Sequence, residues 1–223
     1  MTEPGTGGPT RRILLATTNP HKIVELRALL AGAPFTIGDP NDLGLDLDVE
    51  ETGTTFAANA TLKALAWAHA AGIVSLADDS GLEVDAMGGA PGVYSARWPA
   101  PGMPYPERFK VLVAALDGLP PERRSARYRC VIVVADPQRV LVTAEGTVEG
   151  RIALAPRGTG GFGYDPIFEL PESGRTFGET PPAEKHQISH RARAVTAAVA
   201  ALERLIAADP TAWPAADAAA PAT

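Results

Sequence analysis

Two strand-like segments joined by a short turn impose the strongest constraint on the fold. Residues 127–135 (RYRCVIVVA) are mostly apolar and rich in valine, and residues 140–152 (VLVTAEGTVEGRI) follow directly after the turn DPQR. This pattern of two β-rich runs around a polar turn predicts a pair of neighbouring antiparallel strands. A β-sheet is therefore expected near the middle of the chain.

The beginning of the chain predicts a different unit, a strand followed by a polar turn and a helix. RRILLAT at 11–17 is a short apolar run, and Ile23, Leu26 and Leu29 then fall on one helical face before Gly32. Because strands and helices alternate only in part, we predict an α/β protein with a mixed sheet. The other predicted elements are helices at 52–71, 106–119 and 188–208, a strand at 73–77, an irregular loop at 82–103, and a glycine-rich loop leading into a short strand at 158–170.

The length of 223 residues favours one domain, which we assign to residues 11–207. Residues 1–10 are expected to form a flexible leader, and the Ala- and Pro-rich residues 208–223 a disordered tail. No signal peptide or transmembrane run is recognisable, so a cytoplasmic location is expected. The net charge of −6 argues against nucleic acid or an anionic membrane as partner, and the single cysteine excludes a disulfide framework.

The turn at 17–22 (TTNPHK) is the first candidate binding site. Asn19 is a favourable N-cap and Pro20 suits the first helical position. A helix start presents free N–H groups and a positive dipole end to a ligand, and Lys22 adds a cation, so the turn suits a phosphate group. The alternative is an ordinary capped helix with a solvated lysine.

Neighbouring carboxylates form the second candidate. Asp78 and Asp79 end an apolar run, where carboxylates are costly unless they are solvated, paired or bound to metal. They suit Mg²⁺, with one carboxylate holding the metal and the other taking a proton from water. Glu51 could supply a further ligand. The alternatives are a polar turn at 78–81 and an exposed acidic turn at Glu51 before a helix that carries Lys63 on its surface.

Two further segments could meet a nucleotide base. In GTGGFGYD (158–165), Phe162 and Tyr164 could stack on a base and Asp165 could accept from its N–H groups. In EKHQISHR (184–191), a helix capped by Ser189 would carry two cationic side chains in its first turn, where the dipole disfavours them unless an anion or a carbonyl lies nearby. The alternatives are a flexible loop and a basic surface turn. Together, the four candidates suit a nucleoside triphosphate with Mg²⁺.

The motifs ATTNPHK, EETGTTFAANATLKA, ADDSGLEVDAMGGAPGVYSARW, GTGGFGYDPIF and EKHQISHRA occur in this order. In this combination the chain resembles the Ham1/inosine triphosphatase family over residues 12–206. The resemblance implies an elongated mixed α/β sheet in two lobes, with the active-site cleft between them, and a homodimer. It further implies Mg²⁺-dependent hydrolysis of ITP, dITP or XTP at the bond between the α- and β-phosphates, which removes altered purines from the nucleotide pool.

The resemblance also implies roles for individual residues. Asp79 would bind the metal and accept the proton of the attacking water, with Asp78 and Glu51 completing the metal site. His190 and Arg191 would donate to the 6-keto group that distinguishes these bases from adenine. The residues implied to bind substrate are Thr17, Thr18, Asn19, Pro20, His21, Lys22, Lys63, Ser80, Phe162, Gly163, Tyr164, Asp165, Lys185, His190 and Arg191.

The chain departs from the family pattern at two places. Ala58 stands where the family commonly has a Glu, and the segment 99–109 (PAPGMPYPERF) lacks the usual Asp-x-x-Asn pair. Three other functions are kept open: a Maf-like pyrophosphatase for modified pyrimidine nucleotides, a nucleotide sensor without turnover, and an RNA-binding module. The FGYD and SHR segments argue against the first, the intact acids Glu51, Asp78 and Asp79 against the second, and the acidic charge against the third.

Overall fold

Six strands form one sheet in the computed structural model, which describes residues 11–213. The strand order is β2-β1-β3-β4-β5-β6. β1 is parallel to both β2 and β3, and all later pairs are antiparallel. The strands are β1 (Arg12–Leu15), β2 (Thr36–Gly38), β3 (Ser75–Val84), β4 (Ser125–Ala135), β5 (Val140–Ile152) and β6 (Phe168–Glu169). The predicted mixed sheet and the predicted antiparallel pair are confirmed.

Five helices pack around this sheet. They are α1 (Pro20–Leu29), α2 (Phe56–Ala71), α3 (Tyr105–Ala115), α4 (Pro182–Ile188) and α5 (His190–Ala208). The predicted caps are present, because Asn19 accepts from two N–H groups of α1 and Ser189 accepts from Ala192 N. No helix among residues 11–213 is long and apolar enough to cross a membrane.

Several predicted boundaries differ from the structure. The second helix begins at Phe56 rather than at residue 52, because Thr55 caps it through Ala58 N. The short helix α4 was not predicted, and the last helix begins at His190. The strand predicted at 73–77 continues to Val84, so residues 78–81 form strand and not a turn. The carboxylates of Asp78 and Asp79 are buried in this strand and are paired with cationic side chains. They therefore do not need the contact with solvent that a turn would give.

The hydrophobic core has three parts. On one face of the sheet, α5 packs on Ile13, Leu15, Ile132 and Val134, and on the other α2 packs on Leu14, Ala16, Val131 and Val133. This division follows the alternation of side chains along β1 and β4. A third cluster joins α3 and the segment 164–177 to the far ends of β3, β4 and β5. The separation of this cluster from the other two agrees with the two lobes implied by the resemblance.

The segment after α5 was expected to be detached, and up to Trp213 this expectation is wrong. The side chain of Trp213 is buried and packs on Phe35 at a ring-centroid distance of 5.3 Å. Arg11 Nε also donates to Trp213 O at 3.3 Å. Burial of a large aromatic outweighs the disorder that the Ala- and Pro-rich composition suggested. Residues 1–10 and 214–223 lie outside the described residues.

Candidate active site

A cavity of about 440 Å³ opens between the lobes and collects most of the residues that the sequence singled out. Asp78, Pro20 and His21 are not among its lining residues, although all three are adjacent to residues that are. The predicted residues that line the cavity are Thr17, Thr18, Asn19, Lys22, Glu51, Lys63, Asp79, Ser80, Phe162, Gly163, Tyr164, Asp165, Lys185, His190 and Arg191.

The turn before α1 is organised by its own side chains. Asn19 Oδ1 accepts from His21 N at 3.0 Å and from Lys22 N at 3.3 Å, and Thr17 Oγ1 accepts from Asn19 N at 3.2 Å. Lys22 turns inward, and its Nζ lies 3.0 Å from Asp78 Oδ1. The lysine is therefore not simply solvated, which removes part of the alternative interpretation of this turn.

The two neighbouring aspartates point to opposite faces of β3, as strand geometry requires. Asp78 lies on the α5 side and is almost fully buried. Its Oδ2 is 3.0 Å from Arg191 Nη2, and Lys22 approaches its Oδ1. Burial alone would raise the pKa of Asp78, but these two cations outweigh it and hold the pKa well below its usual range. Asp78 is thus an ion-paired carboxylate outside the cavity, separated from the other predicted metal ligands.

Asp79 faces α2 and shares a cation with Glu51. Lys63 Nζ lies 2.6 Å from Glu51 Oε1 and 3.2 Å from Asp79 Oδ1. Asn59 Nδ2 donates to Asp79 Oδ2 at 3.2 Å. Burial raises the pKa of Asp79 and Lys63 opposes the rise only in part. We call Glu51, Lys63, Asp79 and Arg97 the phosphate end of the cleft.

Arg97 was not predicted as a site residue. It lines the cavity from the segment expected to be an irregular loop, and its Nη1 lies 3.4 Å from Glu51 Oε2. Its guanidinium also lies over the ring of Tyr94. Ala58 contributes no acid here, and Lys63 is held instead by Glu51 and Asp79. The family's missing Glu is therefore not needed to position this lysine.

Glu51 and Asp79 fit a magnesium ion better than the full predicted set does. Both carboxylates contact the same ammonium, so they lie close together on the cavity wall. Mg²⁺ is often held by one or two carboxylates, with substrate phosphates and waters completing the shell. Among residues 11–213 there is no group of three or more His, Cys, Asp or Glu side chains arranged to hold a metal. The two-carboxylate set is compatible with a metal that arrives with a nucleotide.

A buried chain of alternating charges forms the opposite end of the cleft. Lys185 Nζ lies 2.7 Å from Asp165 Oδ2 and 2.7 Å from Glu25 Oε1. Arg191 joins Glu25 to Asp78. We call Asp165, Lys185, Arg191, Phe162 and His190, all of which line the cavity, the base end of the cleft, after the role proposed for it below. Glu25 and Asp78 pair with its cations from behind this lining. Glu25 was missed, although a Glu beside Leu26 on the apolar face of a predicted helix was a signal that could have found it.

Three residues predicted to lie at the base are already engaged with protein groups. Asp165 Oδ2 accepts from Phe162 N at 2.7 Å as well as from Lys185, so this carboxylate holds the glycine-rich loop. Arg191 donates to Asp78, Glu25 and Ser80. Tyr164 is buried, and its hydroxyl donates to Ser95 O at 3.1 Å. These residues build the wall of the cavity.

His190 is the exception, because its side chain has an unused polar atom. The ring is buried and stacks on Tyr128 at 4.5 Å with an interplanar angle of 8°. Burial, followed by the charges of Arg191 and Lys185, lowers the pKa of His190 well below its usual value, so the imidazole is neutral. Its Nδ1 is buried and has no hydrogen-bond partner among the described residues. His190 itself lines the cavity, so it is a side chain of this region with polar capacity that the protein does not use.

Comparisons with known proteins show which family the chain resembles. The model of the Ham1 family matches residues 13–201. A dITP/XTP pyrophosphatase of Gloeobacter violaceus is 53% identical over 186 residues, covering 83% of this chain and 91% of that protein. One of Geobacillus kaustophilus is 48% identical over the same length and with the same coverage. The solved Ham1 protein of Staphylococcus aureus is 38% identical with a TM-score of 0.77, covering 87% of this chain and 99% of that one.

Proposed function

The chain belongs to the Ham1 family, and from this premise we propose that it hydrolyses ITP, dITP and XTP to the monophosphate and pyrophosphate, with Mg²⁺. The names of its curated relatives support dITP and XTP as substrates and a hydrolase acting on acid anhydrides as the enzyme class. The observation that carries the proposal is the shared lysine of Glu51 and Asp79, which faces the same cavity as the aromatic ring of Phe162.

At the phosphate end, Asp79 would accept the proton of the water that attacks the α–β phosphate linkage. Its raised pKa suits a proton acceptor, and Asn59 and Lys63 fix its orientation. Lys63 and Lys22 would contact the phosphates, together with Thr17, Thr18 and Asn19 at the helix start. Glu51 and Asp79 would hold Mg²⁺, which supplies charge neutralisation at the phosphates when bound. Asp78 fits a positioning role better than a metal role.

At the base end, Phe162 would stack on the purine, and His190 would read its 6-position. A neutral imidazole that presents its N–H group to the base can donate to a 6-keto oxygen, whereas it would face the 6-amino group of adenine donor against donor. The buried donor would then stay unpaired, at a cost of about 1–3 kcal/mol. Arg191 and Lys185 fix the surroundings of that contact. A homodimer is part of the proposal through the family resemblance, and a cytoplasmic location is part of it because no signal peptide is recognisable in the sequence.

The test is pyrophosphate release from ITP, dITP, XTP, GTP and ATP, measured with Mg²⁺ and with EDTA. We expect fast release from the first three alone, lost in EDTA and restored by added Mg²⁺. Release from modified pyrimidine nucleotides only would favour the Maf-like alternative. Tight binding of ITP without release would favour the sensor. Turnover that is unchanged in EDTA would contradict the metal dependence.

A further inference from the structure

His21 lies in the first turn of α1 but faces away from the phosphate contacts of that turn. Asn19 and Lys22 line the cavity, whereas His21 is exposed and is not a lining residue. Consecutive helical side chains project about 100° apart, so an inward Lys22 turns its neighbour to another direction. The implied contact of His21 with a triphosphate therefore lacks support from the geometry.

The imidazole of His21 packs instead on Phe162. The ring centroids are 5.4 Å apart and the planes differ by 11°, which is an offset parallel stack. Within residues 11–213, no other aromatic ring is stacked on Phe162. The contact joins the start of α1 to the glycine-rich loop, two segments that are about 140 residues apart in sequence.

Phe162 needs such a contact because its own backbone does little to fix the ring. It lies between Gly161 and Gly163, both with positive φ angles, 69° and 64°. Asp165 accepts from the backbone N–H of Phe162, a contact that constrains the backbone and not the side-chain torsions. Lys185 Nζ and Arg191 Cζ also lie over the ring, 5.1 Å and 5.3 Å from its centre, and the imidazole of His21 is the one flat ring stacked on it among residues 11–213.

We propose that His21 is a positioning residue that holds the Phe162 ring in the orientation for stacking on the purine base. This inference rests on the proposed function, and it moves His21 from the phosphate contacts to recognition of the base. His21 acts through Phe162 and touches neither the phosphates nor the attacking water. Its removal therefore weakens binding of the base and leaves the chemical step unchanged.

Steady-state kinetics with ITP and inhibition by tripolyphosphate, which has phosphates but no base, test the proposal. For His21→Ala we expect KM for ITP to rise about three- to tenfold, the size of an aromatic pair, with kcat within about twofold. Inhibition by tripolyphosphate stays unchanged. His21→Phe keeps a stacking ring and restores KM, whereas His21→Gln keeps hydrogen bonding only and behaves as His21→Ala does.

Two controls separate this role from a general effect on α1. Val24→Ala alters an exposed side chain one turn further along the same helix and leaves KM unchanged. In a Phe162→Leu background, His21→Ala has no further effect, because the ring on which it acts is gone.

Different results would overturn the inference about His21, or both that inference and the proposed function. Weaker inhibition by tripolyphosphate, or a normal His21→Gln with an impaired His21→Phe, would identify a phosphate contact and overturn the inference. An unchanged KM in His21→Ala would overturn it as well while leaving the proposed function intact. A wild-type protein that neither binds nor hydrolyses ITP would overturn both.

Discussion

The two ends of the cleft differ in how deeply their cationic side chains are buried. At the base end, the side chains of Lys185 and Arg191 are 4% and 1% exposed, and each bridges two carboxylates. At the phosphate end, the side chain of Lys63 is 12% exposed and bridges Glu51 and Asp79, whereas the side chain of Arg97 is 37% exposed and contacts Glu51. Buried, fully paired charges form with the fold, whereas partly exposed charges can exchange partners. Under the proposed function, the groups that recognise the base are therefore fixed with the fold, whereas those at the reacting phosphates keep more freedom to change partners.

The largest effect is expected for Asp79→Asn at the phosphate end, which should reduce activity without reducing stability. Loss of the proton acceptor should lower kcat about 10²- to 10⁴-fold, while the melting temperature stays close to that of the wild type because the shape is kept. Pyrophosphate release and thermal unfolding measure the two quantities. Asp117→Asn, an exposed acid outside the cleft, is the matched control. Normal turnover in Asp79→Asn would remove the role assigned to Asp79.

The reverse result is expected for Arg191→Met at the base end. Glu25 and Asp78 would each lose a buried cation, which costs about 3–5 kcal/mol of unfolding free energy. For a domain of this size the melting temperature should fall by on the order of 10 °C. Arg97→Met removes a more exposed cation and should cost less than about 1 kcal/mol. Equal destabilisation by both variants in chemical unfolding would break the comparison.

A smaller effect should appear in the pH dependence of stability. The pKa of His190 is lowered in the folded protein, so below the unfolded value of about 6.5 the unfolded chain binds a proton that the native chain does not. The native state should therefore lose about 1.4 kcal/mol per pH unit as the pH falls below about 6.5. Urea unfolding between pH 7.5 and 5.5 measures this slope. It should be shallower in His190→Gln, and an equal slope in both proteins would show that His190 is not the cause.

Much of the fold could be predicted because its signals are local. The antiparallel pair, the capped α1 and the apolar face of α5 follow from periodicity and capping residues near each element. The extension of β3 through Asp78 and Asp79 could not be predicted in this way. The extension depends on ion pairs of Asp78 with Lys22 and Arg191, which lie 56 and 113 residues away from it in the sequence. The residues around Asp78 therefore give no indication of these partners. Tertiary ion pairs here override a turn-like composition.

The site shows the same limit. Most of the site residues identified from residue types and motif order line the cavity, but these signals could not indicate which groups are already engaged. Asp165 and Arg191 have the chemistry of base contacts and are used within the protein. Glu25, which pairs with two of the cations, was missed although it lies beside Leu26 in the predicted helix. The orientation and ion pairing of these side chains depend on packing between segments that are distant in the sequence. Local sequence patterns do not reveal such packing.

The contact between Arg11 and Trp213 has a consequence for the connectivity of the chain. Because these residues touch, a short glycine–serine linker could join them after removal of residues 1–10 and 214–223. The chain could then be opened at Gln138, in the turn between β4 and β5, where no cavity residue lies. Such a circular permutant would keep every strand neighbour while making the β4–β5 hairpin a long-range contact. A folded permutant would show that strand connectivity and strand arrangement are separable in this domain.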